Sequence, residues 1–421
     1  GPESAPVLKA FLDDINSPAA VNFAPANTAM STGEKAEEAA KTLGKYIVHT
    51  HAKDGILKKH ADLEVMYGVR RDPDFRESDY CREVLLGEGD VDWKKYLAAL
   101  EEIGYTGYLT IEREGSSTHD ADVEKEVPFL KALPELDAVS VCVWNCNHAS
   151  CAIKALDAGK HVLCDKPLAM SVEEGKAMLD AAKRNDRLLM VGFCCRFENA
   201  ADIIRAQQKS DLFGDIYYAK ASYLRRNGAP GGWFCNTSMS GGGPMIDLGV
   251  HILDLTRYLM GNPKPVSVFG ATFNKLGDRP GVQKPTDAYL CADNNEICDV
   301  EDLATALIRY DNGAVLFLES SYSLNIKDTL YSMELFGTKG GVRIAPDFEL
   351  YKDVNSYMMD MTPAGIRIID ESACFPGEIG NFVDTILGRA ECMAPAEDGL
   401  DILRILIAVY ESARTGHEVL L

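Results

Sequence analysis

No stretch of this sequence is long and apolar enough to span a bilayer, and no secretory signal pattern is visible, although the chain begins Gly-Pro rather than Met. The expected setting is therefore cytoplasmic. Basic residues are in short supply: 43 Lys and Arg stand against 64 Asp and Glu, a formal net charge of −21. A surface that acidic repels phosphate backbones and anionic lipid, which argues against nucleic acid and membranes as partners. The twelve cysteines form no metal-type framework. Cys142, Cys146, Cys151 and Cys164 have no CxxC spacing, and Cys194 and Cys195 are adjacent. Thiols in apolar runs behave as small hydrophobes, so buried, reduced cysteines are expected, in a reducing compartment and with no metal centre. No G-x-G-x-x-G follows a strand, and no internal repeat recurs at any period.

What is present is a soluble globular composition, 46% hydrophobic and 25% charged, on 421 residues, enough for two or three domains. Residues 1–133 alternate strands and helices. "AVNFAPAN" (20–27), "YIVHTHAKDG" (46–55) and "GYLTIEREG" (107–115) read as strands running into loops. Helices are predicted over 32–44 and 92–104, the second with Asp92 as N-cap, Gly104 past its end, and Trp93, Leu97, Leu100 and Ile103 on one face. The polar link 56–91 reads as a surface excursion. From 134 the α/β pattern restarts, with a continuous apolar strand in "LDAVSVCVW", a helix ending at Gly159, "HVLCDKP" as strand and exit loop, another helix, and the strand "RLLMVGFCCRF". After about 215 longer alternating strands take over. "LATALIRYDNGAVLFLESSYS" is a hairpin around Asp311-Asn312-Gly313, "YSMELFGTKGGVRI" is another pair, and a helix over 400–415 closes the chain.

One helix is unusual. "GGGPMIDLGVHILDL" (241–255) is apolar on almost every side from Met245 onward, yet carries Asp247, His251 and Asp254. At 100° per residue these share a stripe about 60° wide, which Tyr258 joins. Carboxylates on a buried face are costly unless they meet partners or a cleft. Imidazole beside carboxylate suits general acid–base work. Lys166 is the second candidate, ending a buried strand at the C-terminal edge of a parallel sheet, where open α/β sheets bind ligands.

Residues 134–421 resemble the glucose–fructose oxidoreductase/inositol dehydrogenase (Gfo/Idh/MocA) family. "VWNCNHA" (143–149) stands at a Thr-Pro-Asn-x-x-His turn with Asn145 and His148 kept. "AGKHVLCDKPLAMS" carries the Lys-Pro signature with Asp165 where Glu is usual, and "GGGPMIDLGVHILDL" matches the catalytic helix. The resemblance implies an NAD- or NADP-dependent oxidoreductase acting on a sugar or cyclitol hydroxyl. In it Lys166, Asp247 and His251 are catalytic, and Asn145, His148, Asp165, Lys166 and Arg196 lie toward the cofactor. Either His251 or Lys166 moves the hydroxyl proton. Arg196 is read equally as a contact to nicotinamide or substrate and as a structural salt bridge, and Asp254 as orienting His251 or capping a strand. Arg225, Arg226 and Trp233 read as a solvated loop before a sugar contact. A homo-oligomer through the open sheet is implied as well.

Residues 1–133 resemble the last strands of a xylose-isomerase-like TIM barrel. His51 and Glu112 match two ligands of that family's metal, whereas Ala24 stands in place of its Asp, so His49, His51, Lys53, Glu112 and Glu114 read as relics and no metal is expected. The expected architecture is α/β plus α+β in three parts. These are a partial TIM-barrel segment (1–133), the second half of a Rossmann sheet (134–214), and a mostly antiparallel open sheet with helices on one face (215–421). The Gly-rich cofactor half has no counterpart in the sequence. Three readings follow: a sugar oxidoreductase, a metal-dependent isomerase remnant, or a non-catalytic fused or truncated chain.

Overall fold

The computed structural model describes residues 4–15, 20–66, 70, 72, 75–105, 107, 109–111, 129, 137–277, 279, 281–283, 291, 297–365 and 371–421. Two compact units emerge, one of Gly1–Cys142, Ser150–Leu163 and Ala181–Leu188, the other of Val143–Ala149, Cys164–Asp180 and Leu189–Leu421. Among the described residues no helix is long and apolar enough to cross a membrane.

In the first unit β1 (Val21–Phe23), β2 (Ile47–Ala52) and β5 (Leu109–Ile111) form a parallel sheet in the order β1-β2-β5. The helix Trp93–Glu102 begins where Asp92 accepts a hydrogen bond from the Lys95 N–H, 3.2 Å away. It buries Trp93, Tyr96, Ala99 and Leu100, with Leu97 and Ile103 packed at the border of the same core. The polar link departs from expectation. It forms an antiparallel pair, β3 (Asp54–Leu57) with β4 (Cys81–Val84), organised by one buried carboxylate. Asp54 accepts from the Gly55 and Gly87 N–H groups (2.8 Å each) and from Trp93 Nε1 (2.9 Å). One acceptor serving several donors orders a segment that has few apolar residues to do so. Farther along, β6 (Ala138–Val141) lies beside β7 (His161–Cys164), and the Val162 N–H donates to the Leu188 carbonyl at 2.8 Å.

The second unit contains β8 (Leu189–Val191) and a nine-stranded sheet. Its strands are β9 (Ile216–Leu224), β10 (Pro265–Phe273), β11 (Leu303–Tyr310), β12 (Val315–Ser321), β13 (Leu330–Gly337), β14 (Gly340–Arg343), β15 (Glu349–Val354), β16 (Tyr357–Met361) and β17 (Val419–Leu420). They lie in the order β16-β15-β14-β13-β9-β12-β11-β10-β17, with β9 and β12 parallel and the other neighbours antiparallel. The hairpin turn at Asp311-Asn312-Gly313 is as expected, with Gly313 at φ 85°. Period-two alternation sends Ala304, Ala306, Ile308, Leu316, Leu318, Ala219 and Ala221 to the covered face.

Against that face lies the helix Val250–Leu259, whose Val250, Ile252, Leu253, Leu255 and Leu259 are fully buried. Each contributes about 1.5–3 kcal/mol of burial. Gly249 allows the close approach, since a Cβ there would stand 3.4 Å from the Ser320 Cβ and 2.8 Å from the Met245 sulfur. The sequence reading of one continuous α-helix from Met245 is corrected at its start, because Met245–Gly249 is a π-helical turn.

Candidate active site

The titratable stripe is matched partner by partner. Lys166 leaves the end of β7 and reaches Asp247, with Nζ 2.9 Å from Oδ1 and 3.0 Å from the Asp247 carbonyl oxygen. Both side chains are 14% exposed, shielded yet open to a ligand. The other carboxylate oxygen of Asp247 accepts from the buried Tyr322 hydroxyl at 3.1 Å. Burial pulls the Lys166 pKa down, but Asp247 and Asp165 outweigh it and hold the ammonium above its ordinary value. Burial likewise pushes the Asp247 carboxyl up, and the Lys166 charge and hydrogen bond reverse this, so it lies below the usual range. The pair is thus ionised at neutral pH.

One turn on, His251 faces the 3-10 turn Cys194–Phe197, with Cys195 Sγ 3.9 Å from its Nδ1. A hydrogen bond from Cys195 lowers the Cys194 thiol to about 5, against burial and with help from His251. The Cys195 thiol is pushed well above its usual value by that bond and by burial. Nearby, burial raises the Glu378 carboxyl to about 9, with Cys194 and Asp165 adding to it. Sequence reasoning treated these cysteines as strand thiols. The adjacent pair just past the strand was visible, but its neighbour His251 was not.

Asp254 takes neither role expected of it. Its two oxygens accept from Arg196 Nε (2.8 Å) and Nη2 (2.6 Å), and Arg196 Nη1 also donates to Asp398 (2.8 Å) and the Met393 carbonyl (2.5 Å). Arg196 is 0% exposed and its guanidinium lies 4.5 Å from the Tyr258 ring centre. Of the two readings of Arg196, these contacts make the structural salt bridge: the buried guanidinium joins Asp254 to Asp398.

Two other cofactor candidates also have internal partners. Asn145 is buried and its amide donates to the Ser240 carbonyl at 2.7 Å. His148 is buried with Nδ1 2.7 Å from the Pro167 carbonyl oxygen and Nε2 3.0 Å from that of Val143, so it clamps the Lys166-Pro167 loop to the end of the preceding segment. Burial pulls its pKa down, with Asp165 and the two carbonyls opposing. Asp165 is exposed and accepts from the Lys166 N–H at 2.7 Å. Arg225 donates to the Gly228 carbonyl (3.0 Å), Arg226 to that of Lys327 (3.2 Å), and Trp233 stacks on Phe234. In the other unit, His51 Nε2 lies 3.1 Å from Asn22 Nδ2. Glu112 and Glu114 lie outside the described residues.

A residue that sequence reasoning missed fixes the start of the helical segment carrying Asp247 and His251. Glu301, buried, accepts from the Gly243 N–H (2.9 Å), the Met245 N–H (3.1 Å) and the Tyr410 hydroxyl (2.8 Å). Gly243 has to be glycine here, since a Cβ would sit 2.5 Å from the Glu301 carbonyl oxygen. The Gly241-Gly242-Gly243 run therefore serves packing.

Comparison with known proteins gives three family matches. Residues 202–343 match the GFO/IDH/MocA C-terminal domain, 111–193 the oxidoreductase family with NAD-binding Rossmann fold, and 2–133 the xylose isomerase-like TIM barrel. The second and third overlap over 111–133. D-glucoside 3-dehydrogenase of Escherichia coli is 35% identical over 285 residues, 67% of this chain and 79% of that one. Levoglucosan dehydrogenase of Pseudarthrobacter phenanthrenivorans is 31% identical over 217 residues, 50% and 55% of the two chains. Among solved structures, the aldose-aldose oxidoreductase of Caulobacter crescentus complexed with glycerol aligns with a TM-score of 0.55 at 25% identity, covering 78% of this chain and 89% of that one.

Proposed function

Because the chain belongs to the Gfo/Idh/MocA family of oxidoreductases, whose cofactor is NAD or NADP, we propose that it oxidises a hydroxyl of a sugar or cyclitol reversibly. The observation that carries this reading is the ionised Lys166–Asp247 pair at the exit of β7, with His251 four residues past Asp247. The donor set fits a nicotinamide at its reacting end, since a fixed ammonium just past the C-terminal end of β7 is paired with the helical segment that carries the His251 imidazole. The cofactor, when bound, accepts or returns the hydride. Lys166 stays protonated because Asp247 holds it so, and its N–H groups steady the substrate oxygen as negative charge develops there. A charged ammonium has no lone pair for a proton, which leaves His251 as the group that takes the hydroxyl proton. Asp247 orients Lys166 and is itself held by Tyr322.

The test is reduced-nicotinamide absorbance with a panel of aldoses, glucosides and inositols, given NAD or NADP. If His251 is the base, the rise of kcat with pH shown by the unmodified enzyme is lost in His251→Gln and kept in Lys166→Met. Parallel pH profiles for the two variants contradict that assignment.

The division into 1–133, 134–214 and 215–421 is part of the same reading, with the first a partial TIM-barrel segment. Its strand end holds His51, but Ala24 gives no carboxylate, and a hard divalent ion needs more oxygen or imidazole ligands than that. The chain further associates with copies of itself through the open face of the nine-stranded sheet. Phe269 and Leu307 stand opposite each other on β10 and β11, 52% and 42% exposed, which supports an apolar interface.

A further inference from the structure

We propose that Cys194, Cys195 and His251 form a binding site for one soft divalent cation of the zinc class, built into the candidate active site. Among the described residues these three offer ligand atoms all within 4.8 Å of one another. The ring nitrogen facing the sulfurs is Nδ1, 3.9 Å from Cys195 Sγ. A tetrahedral zinc with Zn–S of about 2.3 Å and Zn–N of about 2.0 Å has its S···S and S···N edges at roughly 3.5–3.8 Å. Closing the triangle onto an ion therefore takes a contraction of at most about 1.0–1.3 Å, within the reach of side-chain rotation on partly exposed residues.

Ligand type points to the same class of ion. Two sulfurs and one imidazole select zinc and its softer relatives over magnesium or calcium, which want oxygen. Three protein ligands leave the fourth tetrahedral position open. The surroundings favour a cation as well. The Asp165 carboxylate acts electrostatically on Cys194, whereas Lys166 is already neutralised by Asp247. One oxygen of Glu378 is buried and has no hydrogen-bond partner.

The site has a consequence for the proposed chemistry. An ion on Nδ1 fixes the His251 proton on Nε2, and that nitrogen then has no lone pair for the substrate hydroxyl. Metal occupancy and proton transfer at His251 exclude each other. Metal binding at these residues is independent of the dehydrogenase reading, and a titration reads binding alone.

The full chain, stripped of metal and reduced with a phosphine rather than a thiol, is titrated with cobalt(II) and then with zinc. One equivalent of cobalt gives a thiolate-to-cobalt charge-transfer band that zinc removes. Cys194→Ser and Cys195→Ser each weaken cobalt binding at least about tenfold, the scale on which even outer partners of a metal matter. Cys142→Ser, an exposed thiol outside the cluster, leaves it unchanged. Near-ultraviolet circular dichroism checks that each variant is folded. Should a serine variant fail to fold, His251→Gln decides, and it too weakens binding at least about tenfold. Absence of the band, or its survival in the Cys194→Ser/Cys195→Ser double variant or in His251→Gln at full affinity, overturns the proposal.

Discussion

Replacing Lys166 with Met, which keeps the side-chain length and removes the charge, tests whether the ion pair at the end of β7 is as enclosed as its geometry implies. The pair is a single contact of 2.9 Å between side chains each 14% exposed, with Tyr322 as a further donor to Asp247. Removing one partner of a buried pair costs about 3–5 kcal/mol, and the remaining exposure and the Tyr322 bond place this one near about 3 kcal/mol at neutral pH. The pH dependence carries a definite sign. In the native protein Asp247 titrates below its usual value, burial being outweighed by Lys166. A carboxyl of that kind adds stability that is complete above the unfolded value of about 3.9 and is lost as pH falls through the folded value. In Lys166→Met burial acts on Asp247 with Arg225, His251 and the Tyr322 hydrogen bond in weaker opposition, so its folded value rises and the carboxylate destabilises at neutral pH. That penalty fades as pH falls and Asp247 takes up its proton. Urea unfolding of both proteins at several pH values should show a gap that is widest near neutrality and narrows toward about pH 4. Adding Asp247→Asn to Lys166→Met should recover part of the loss. A gap independent of pH, with no recovery in the double variant, would refute the reasoning.

Further expectations follow from the other contacts. Arg196→Met strands Asp254 beside Asp398 and should cost about 3–5 kcal/mol in urea unfolding, whereas a structural role predicts unchanged nicotinamide affinity in the fraction that folds. Glu301→Ala leaves the Gly243 and Met245 N–H groups without their acceptor, should cost about 3 kcal/mol, and should lower kcat because the π turn carrying Asp247 loses its anchor. Glu301→Gln keeps one accepting oxygen and turns the other into a donor, so it should recover only part of both. The proposed self-association through the open sheet predicts that the unmodified chain sediments as an oligomer and that Leu307→Lys with Phe269→Lys gives a monomer; an unchanged mass would remove the open sheet face as the interface.

The one-sided stripe on the helix from Met245 to Leu259 was legible because period and chemistry agree there. Asp247, His251 and Asp254 do face one side, and each has a partner on that side. Who the partners are was not legible. Arg196 lies 58 residues from Asp254 and Tyr322 lies 75 from Asp247, distances that no local pattern reports. The π turn at Met245–Gly249 escaped for a different reason, since hydrophobic spacing assumes the α-helical angle throughout. The strands after 215 were legible through alternation, but the parallel pairing of β9 with β12 was not, because strand order depends on tertiary contacts. Asp54 shows the converse: a single buried carboxylate gave structure to a segment whose composition looked like a loop.

The most direct test of the account is a titration of the purified chain with NADH and NADPH, followed by nicotinamide fluorescence, with Lys166→Ala as the control for the reacting end. The account predicts saturable micromolar binding of at least one of the two, with the fluorescence of the bound nicotinamide altered in the variant. No binding of either up to millimolar concentration would contradict it, because the residues around Lys166 and His251 would then have no hydride acceptor to work with.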